Sequence, residues 1–286
     1  MEKWISVSIG LIVSSVALYL FVRKSKDVKV PVDIQNFGMF LPPAIFVGLY
    51  NLLQKKSFEI PLLYLAIIGF AAFFFSWLGN IASLKALKKA PNPGYSLVIS
   101  KSYVLMTSIL SVWIFGSSLT MKAIIAIVLI VAFSTMIIID KRKNHDVKDN
   151  SWIWLTFGAF LAWSFLALTL KHLTNQGLES TVILFYLMLF VSVLISVQLA
   201  LKRSKVQLKK NYLPLFLSMG IASTFFNLFI ILGYQYAPNP GYINAANAGS
   251  IALVTIFSAL LFKDELNPKK VFGVLGVIGS LVLLFI

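Results

Sequence analysis

Cysteine is absent from this sequence of 286 residues, and charged residues are scarce. The lack of cysteine excludes disulfide bonds, cysteine-ligated metals and thiol chemistry. Charged residues make up 12% of the chain, whereas soluble domains carry about 25%. The composition is therefore not that of a water-soluble fold.

Catalytic motifs are missing as well. The Asp-rich metal motifs of prenyl transfer, the His-x-x-x-x-Asp motif of acyl transfer and the His-Glu-x-x-His motif of proteolysis do not occur. The only two histidines, His145 and His172, are expected in loops on opposite sides of the membrane. We therefore expect neither enzymatic activity, nor a metal, nor a cofactor.

Long apolar segments are abundant instead. Hydrophobic residues make up 59% of the chain, and segments of about 18–25 residues can cross ~30 Å of hydrocarbon as helices. Backbone polar groups cannot stay unpaired in lipid, so such segments must be helical. We predict an all-α integral membrane protein with ten transmembrane helices, at about 4–22, 35–53, 60–84, 93–116, 121–139, 151–170, 180–200, 213–236, 240–262 and 268–286.

The hexapeptide Ala-Pro-Asn-Pro-Gly-Tyr occurs twice, at Ala90–Tyr95 and Ala237–Tyr242, 147 positions apart. The same offset aligns further identical residues: Lys24 with Lys171, Lys55 with Lys202, Ser76 with Ser223, Asn80 with Asn227, Leu119 with Leu266 and Lys122 with Lys269. The chain thus reads as a duplicated module. We predict a first five-helix repeat over 1–139, a polar connecting loop over 140–150 and a second five-helix repeat over 151–286.

An odd number of helices per repeat makes the two repeats cross the membrane in opposite directions. The basic residues support this inversion. Loops after odd-numbered segments hold 19 of the 25 Lys and Arg, and the opposite side holds Lys3, Lys55, Lys56, Lys122 and Lys171. Basic residues collect in cytoplasmic loops, so we expect both termini on the non-cytoplasmic side of the cell membrane. The net charge of +15 then reflects this bias and attraction to anionic lipid of the bilayer, and no nucleic-acid partner is expected.

The end of each repeat resembles a known family. Gly233–Pro238 leads into the ninth segment, and Leu261–Leu266 leads into a last segment with Gly273, Gly276 and Gly279. In this pattern, and in its short loops and two five-helix repeats, the chain resembles the EamA-type permeases of the drug/metabolite transporter superfamily. The resemblance covers the whole chain, although the first copy, Phe115–Leu119, matches it less well. It implies a secondary-type transporter in which access to a small-molecule substrate alternates between the repeats.

The positions of the acidic residues narrow the range of substrates that we expect. All ten lie at segment ends or in loops, so no carboxylate sits in the middle of the membrane to exchange a proton for a cationic drug. A neutral, zwitterionic or anionic metabolite, such as an amino acid, fits better. The alternatives are a multidrug exporter and a non-transporting scaffold or flippase subunit. The fifth and tenth segments, almost bare of polar residues, are expected to serve as scaffold or as an interface, for which a homodimer is one option.

Polar residues inside the apolar segments are the candidate substrate-binding residues, because hydrocarbon makes them costly unless they face the bundle interior. Lys101 is the most telling, since it lies deep in the fourth segment, where its repeat equivalent is Ala248. It could bind an anionic group of the substrate, relay a proton or serve the structure alone. The full set of candidates is Lys101, Asn244, Asn247, Asn80, Asn227, Tyr103, Ser100, Tyr95 and Tyr242.

Two further interpretations stay open for members of this set. Asn244 and Asn247 could line a site or could join helices by hydrogen bonds. The repeated hexapeptide reads mainly as a tight turn, in which Asn92 and Asn239 cap the helices that begin at the following prolines. Tyr95 and Tyr242 would gate the permeation path if those helix N-termini faced it.

Overall fold

The structure, a computed structural model, describes residues 2–90, 93–139, 150–201 and 212–286. Ten helices within these residues are long and apolar enough to span a membrane, and no strand occurs among them. We number them α1 (Lys3–Asp27), α2 (Val32–Leu53), α3 (Leu62–Phe70, a π-helical segment Ala71–Leu78, and Gly79–Lys89), α4 (Pro93–Lys101 and Tyr103–Phe115), α5 (Met121–Ile138), α6 (Ser151–Asn175), α7 (Ser180–Leu201), α8 (Leu213–Tyr236), α9 (Pro240–Phe262) and α10 (Pro268–Phe285). The predicted all-α fold with ten membrane-spanning helices is confirmed.

Asparagine caps start the last two helices. The Asn239 side chain accepts a hydrogen bond from the Gly241 amide at 2.8 Å, and Asn267 accepts one from the Lys270 amide at 3.0 Å. In both cases a proline occupies the first helical position, where its missing N–H costs nothing. The cap predicted at Asn239 is confirmed. The equivalent cap at Asn92 lies outside the described residues.

Two residues expected in a loop lie instead in a helix. α6 continues to Asn175 and so includes Lys171 and His172. The apolar stretch ends near residue 170, but backbone hydrogen bonding does not, since the Gln176 amide still donates to the His172 carbonyl at 3.1 Å. Lys171 is only 7% exposed. The prediction failed because hydropathy reports lipid contact and not where a helix ends.

Helix packing follows the offset between the two halves. α1 packs on α8 and α6 packs on α3, while α2 packs on α7, α4 on α9 and α5 on α10. Exchanging each helix with its repeat equivalent reproduces these pairs. Two equivalent halves would give such a pattern; the inverted orientation and the boundaries 1–139 and 151–286 stay predictions. The connecting loop over 140–149 and the basic stretch over 202–211 lie outside the described residues.

The fifth and tenth helices pack closely on each other. A Cβ at Gly276 would overlap the Phe133 ring, and one at Gly273 would lie 2.8 Å from Ile137, so both glycines allow close contact between α5 and α10. Gly279, expected to do the same, meets nothing within 4 Å. Both helices also pack on α9, and their role as scaffold or interface stays a prediction.

Candidate functional site

A central cavity of about 350 Å³ lies between the helices of the described bundle. Its described lining comes from α1–α4 and α6–α9, with no contribution from α5 or α10. Polar side chains reach it from both halves, namely Tyr19, Ser76, Asn80, Ser83, Lys101, Tyr103, Ser223, Asn227, Tyr234 and Asn247. The cavity therefore lies where the two predicted repeats meet.

Lys101 projects into this cavity between two aromatic rings. Its Nζ atom donates to the Tyr19 hydroxyl at 3.3 Å and lies 5.7 Å from the Tyr19 ring centroid and 5.8 Å from that of Trp163. No carboxylate is among the described residues that line the cavity. The ammonium thus meets only neutral partners among them, an arrangement suited to an anion that enters from outside.

The helix that carries Lys101 is irregular directly after it. The predicted continuous segment over about 93–116 is confirmed as one membrane span over Tyr95–Phe115. Within it, Ser102 departs from regular α-helical geometry, yet its amide still donates to the carbonyls of Val98 at 3.1 Å and Ile99 at 3.2 Å. No proline or glycine occurs at this point, so the sequence gives no warning of the irregularity.

Three asparagines offer amide groups to the same cavity. Asn80 comes from α3 and Asn227 from the equivalent position of α8. Asn227 Nδ2 donates to the Ser223 carbonyl at 2.8 Å and to its hydroxyl at 3.1 Å, which leaves Asn227 Oδ1 to accept from a ligand. Asn247 of α9 accepts from the Ser15 hydroxyl at 3.2 Å. Together they can accept from an amine or hydroxyl, or donate to an oxygen.

Five of the nine candidate residues line the cavity, and four do not. Asn244 is 1% exposed and accepts from the Tyr234 hydroxyl at 2.6 Å. Ser100 is turned to its own helix, donating to the Leu97 carbonyl at 3.2 Å. Tyr242 donates to the Ser118 carbonyl at 3.2 Å and packs on Trp4, and Tyr95 is half-buried away from the lining.

A second cavity of about 250 Å³ adjoins the first toward one side of the bundle. We call it the vestibule; it lies between α2, α3 and α7, and Phe40 and Asn80 line both cavities. Asp33 near the start of α2, Lys85 near the end of α3 and Gln198 near the end of α7 surround its mouth. These helix ends adjoin the loops after odd-numbered helices, so the vestibule opens toward the basic side.

The opposite end of the bundle is closed by hydrogen bonds. Thr181 Oγ1 donates to Asn51 Oδ1 at 2.6 Å, and Asn51 Nδ2 donates to the Thr181 carbonyl at 3.2 Å. Lys56 pairs with Glu179 at 2.6 Å, which holds the pKa of that carboxyl below its ordinary value. Lys171 Nζ donates to the carbonyls of Tyr234 at 2.6 Å and Ala237 at 3.1 Å. These contacts join the ends of α2, α6, α7 and α8 on the side opposite the vestibule.

Comparison with known proteins relates the chain to membrane transporters. Residues 150–286 match the EamA-like transporter family, and an uncharacterized transporter of Archaeoglobus fulgidus is 21% identical over 261 residues, 89% of each chain. Residues 150–286 thus form an EamA-like transporter domain. A solved crystal structure of a protein, 10% identical, gives a TM-score of 0.82 over 99% of this chain and 97% of the other, which shows a shared fold alone.

The chain is therefore a multi-pass integral membrane protein with a transport function. The family match falls on the second half, where the resemblance at Gly233–Pro238 and Leu261–Leu266 was strongest. The relatives do not identify a substrate or a site residue.

Several residues of the cavity were missed by the sequence analysis. Trp163 and Tyr19 form the aromatic surroundings of Lys101, yet aromatic residues are common in this chain, with 24 Phe among them. Trp163 did carry a signal. It lies in the middle of α6, whereas tryptophans of membrane proteins concentrate at the two interfaces.

Proposed function

We propose that this protein is a secondary-type transporter of a small carboxylate-bearing metabolite, anionic or zwitterionic, and works by alternating access between two inverted five-helix repeats. The observation that carries the proposal is the Lys101 ammonium in a central cavity whose described lining contains no carboxylate. A cation at this depth is costly unless it meets water or negative charge. A substrate carboxylate would supply that charge.

The rest of the cavity suits a small molecule with an apolar part. Its volume of about 350 Å³ lies near the lower end of the range for small-molecule sites. Asn80, Asn227 and Asn247 offer amides for an amine or hydroxyl, and leucine and methionine side chains from α7 complete the wall. A lipophilic cation would instead approach the Lys101 ammonium, which disfavours the multidrug-exporter alternative.

Counterflow in proteoliposomes tests this proposal. Proteoliposomes that contain the wild-type protein are loaded with pools of monocarboxylates, dicarboxylates, amino acids and, for comparison, amines without a carboxylate. We expect exchange of a carboxylate and a loss of affinity of about 10- to 150-fold in Lys101→Ala, because a hydrogen bond to a charged group contributes about 1.5–3 kcal/mol. Lys101→Arg should retain part of the affinity.

Lys122→Ala is the matched control, since Lys122 is an exposed lysine at the start of α5, away from the cavity. It should exchange substrate like the wild type. Carboxylate exchange that survives Lys101→Ala unchanged would contradict the proposed binding role. A wild type that exchanges none of the pools would favour the scaffold or flippase-subunit alternative.

A further inference from the structure

Lys171 is a buried lysine whose two hydrogen-bond acceptors are backbone carbonyls. Its side chain crosses from α6 to the end of α8 and donates to the carbonyls of Tyr234 and Ala237, at 2.6 Å and 3.1 Å. Carbonyls at the end of a helix have no partner within the helix, and the end of a helix carries a partial negative charge. Lys171 thus fastens α6 to α8 at the second copy of the repeated hexapeptide.

Lys24 is the repeat equivalent of Lys171, and its surroundings differ. The offset of 147 places Lys24 on α1 and makes Leu87 and Ala90, at the end of α3, the counterparts of Tyr234 and Ala237. Ala90 opens the first copy of the hexapeptide. Lys24 is nevertheless exposed, whereas Lys171 is 7% exposed. The lysine at this position is therefore hydrogen-bonded in one half and exposed in the other.

Helix packing differs between the halves in the same way. α6 and α7 both pack against α8, but the equivalent pairs, α1 with α3 and α2 with α3, have no comparable packing among the described residues. The gap between α2 and α3 is the vestibule. In the second half, which holds Lys171, α6 and α7 close on the end of α8. In the first half, which holds Lys24, α1 and α2 stand apart from the end of α3.

We propose that Lys171 and Lys24 are reciprocal latches of the transport cycle. In the conformation described here, Lys171 holds the side opposite the vestibule shut. In the alternate conformation, Lys24 donates to the carbonyls of Leu87 and Ala90, α1 and α2 close on α3, and Lys171 leaves the end of α8. This explains why both copies keep the lysine and the hexapeptide. The inference rests on the alternating-access part of the proposed function and is independent of the substrate.

Cysteine accessibility can test the latches, because the chain has no cysteine of its own. Asn36→Cys places a thiol in the vestibule, and Ile183→Cys places one at the equivalent position of the other half, where the side chain is 0% exposed. A hydrophilic methanethiosulfonate reagent is applied to protein in nanodiscs, which expose both faces. We expect fast labelling at position 36 and slow labelling at position 183.

The latch variants should shift these two rates in opposite directions. Lys171→Ala should raise the labelling rate at 183 on the order of tenfold and lower the rate at 36, because it removes hydrogen bonds from a charged group in one conformation only. Lys24→Ala should do the reverse, while Lys24→Arg keeps the donor and should resemble the wild type. The double variant should return the ratio of rates toward the wild-type value, and Lys122→Ala should change neither rate.

Two outcomes would overturn the proposal. If Lys171→Ala raises both rates together, the lysine merely holds the fold; if Lys24→Ala changes neither rate, no reciprocal latch exists. Should Lys171→Ala fail to fold, Lys24→Ala decides alone, since its side chain is exposed. Labelling needs no substrate, so a failure of the carboxylate proposal leaves this test intact, and a failure of the latch leaves the Lys101 test intact.

Discussion

At the scale of single residues, the second hexapeptide is a contact between the two halves rather than a free turn. Asn239 is fully buried; besides capping α9, its Nδ2 donates to the Ser108 carbonyl of α4 at 3.1 Å. Gly241 follows within one turn, and a Cβ there would overlap Ser108 Oγ and lie 2.7 Å from Ser108 Cβ. The glycine of the hexapeptide is therefore required by the close approach of α4.

Gly241→Ala should destabilise the protein by about 1–3 kcal/mol, the usual cost of adding a methyl group to a filled contact. The measurement is unfolding in detergent. Gly158→Ala in α6 is the matched control, because a Cβ there meets nothing within 4 Å, and it should be neutral or stabilising by up to about 1 kcal/mol. Adding Ser108→Gly to Gly241→Ala should recover part of the loss. Equal stability of the two alanine variants would refute the contact.

At the scale of helices, α2 and α7 are joined at one end by two interactions of different value. Asn51 and Thr181 exchange two hydrogen bonds, with Asn51 fully buried and Thr181 6% exposed. Lys56 and Glu179 form an ion pair whose side chains are 27% and 52% exposed. Solvent screens the exposed pair, so the buried hydrogen bonds contribute more to holding the two helices together.

Asn51→Ala should therefore cost about 1–3 kcal/mol, and Glu179→Gln at most about 1 kcal/mol. The contribution of the Glu179 ion pair to stability should also depend on pH. The Lys56 ammonium lowers the pKa of Glu179 from its ordinary value of 4.5, so the stabilisation is present above pH 4.5 and is lost as the pH falls through the lower value. Thermal unfolding of the wild type and of Glu179→Gln from pH 8 to pH 3 should show a small difference in stability that vanishes at the acidic end. A difference that grows on acidification would contradict this assignment.

Helix positions and several cavity residues could be predicted from the sequence, for a physical reason. Lipid forbids unpaired backbone and unpaired polar side chains, so apolar length located the helices, and Lys101, Asn80 and Asn227 stood out within them. Lys171 was misplaced because its partners are backbone carbonyls distant in sequence, which leave no trace in hydropathy. The irregularity at Ser102 was invisible because no glycine or proline causes it.

At the scale of the whole molecule, eight helices surround the cavity while α5 and α10 pack on each other at its side. The closed end and the vestibule occupy equivalent places in the two halves: Asn51 corresponds to Gln198, and Thr181 corresponds to Ile34. Asn51 and Thr181 are bonded, whereas Gln198 lines the vestibule and accepts from Trp77 Nε1 at 3.0 Å. The alternate conformation should bring Gln198 and Ile34 together instead.

Paired cysteines should trap each conformation. A short bifunctional methanethiosulfonate should link Asn51→Cys to Thr181→Cys in one conformation and Ile34→Cys to Gln198→Cys in the other. Either link should stop substrate exchange, and reduction should restore it, because transport requires both conformations. Single-cysteine variants treated identically are the controls. Linked protein that still exchanges substrate at the unlinked rate would show that transport does not need this exchange of conformations.

The π-helical segment of α3, Ala71–Leu78, bears on how the cavity can change. A π-helix winds more residues into each turn than the 3.6 of an α-helix, so it rotates everything beyond it about the helix axis. Asn80 and Ser83 lie just beyond this segment, and both line the cavity. If the segment were rewound as α-helix, both side chains would point in a different direction around the helix axis. The direction in which Asn80 points is therefore a torsional property of α3, set by how tightly Ala71–Leu78 is wound.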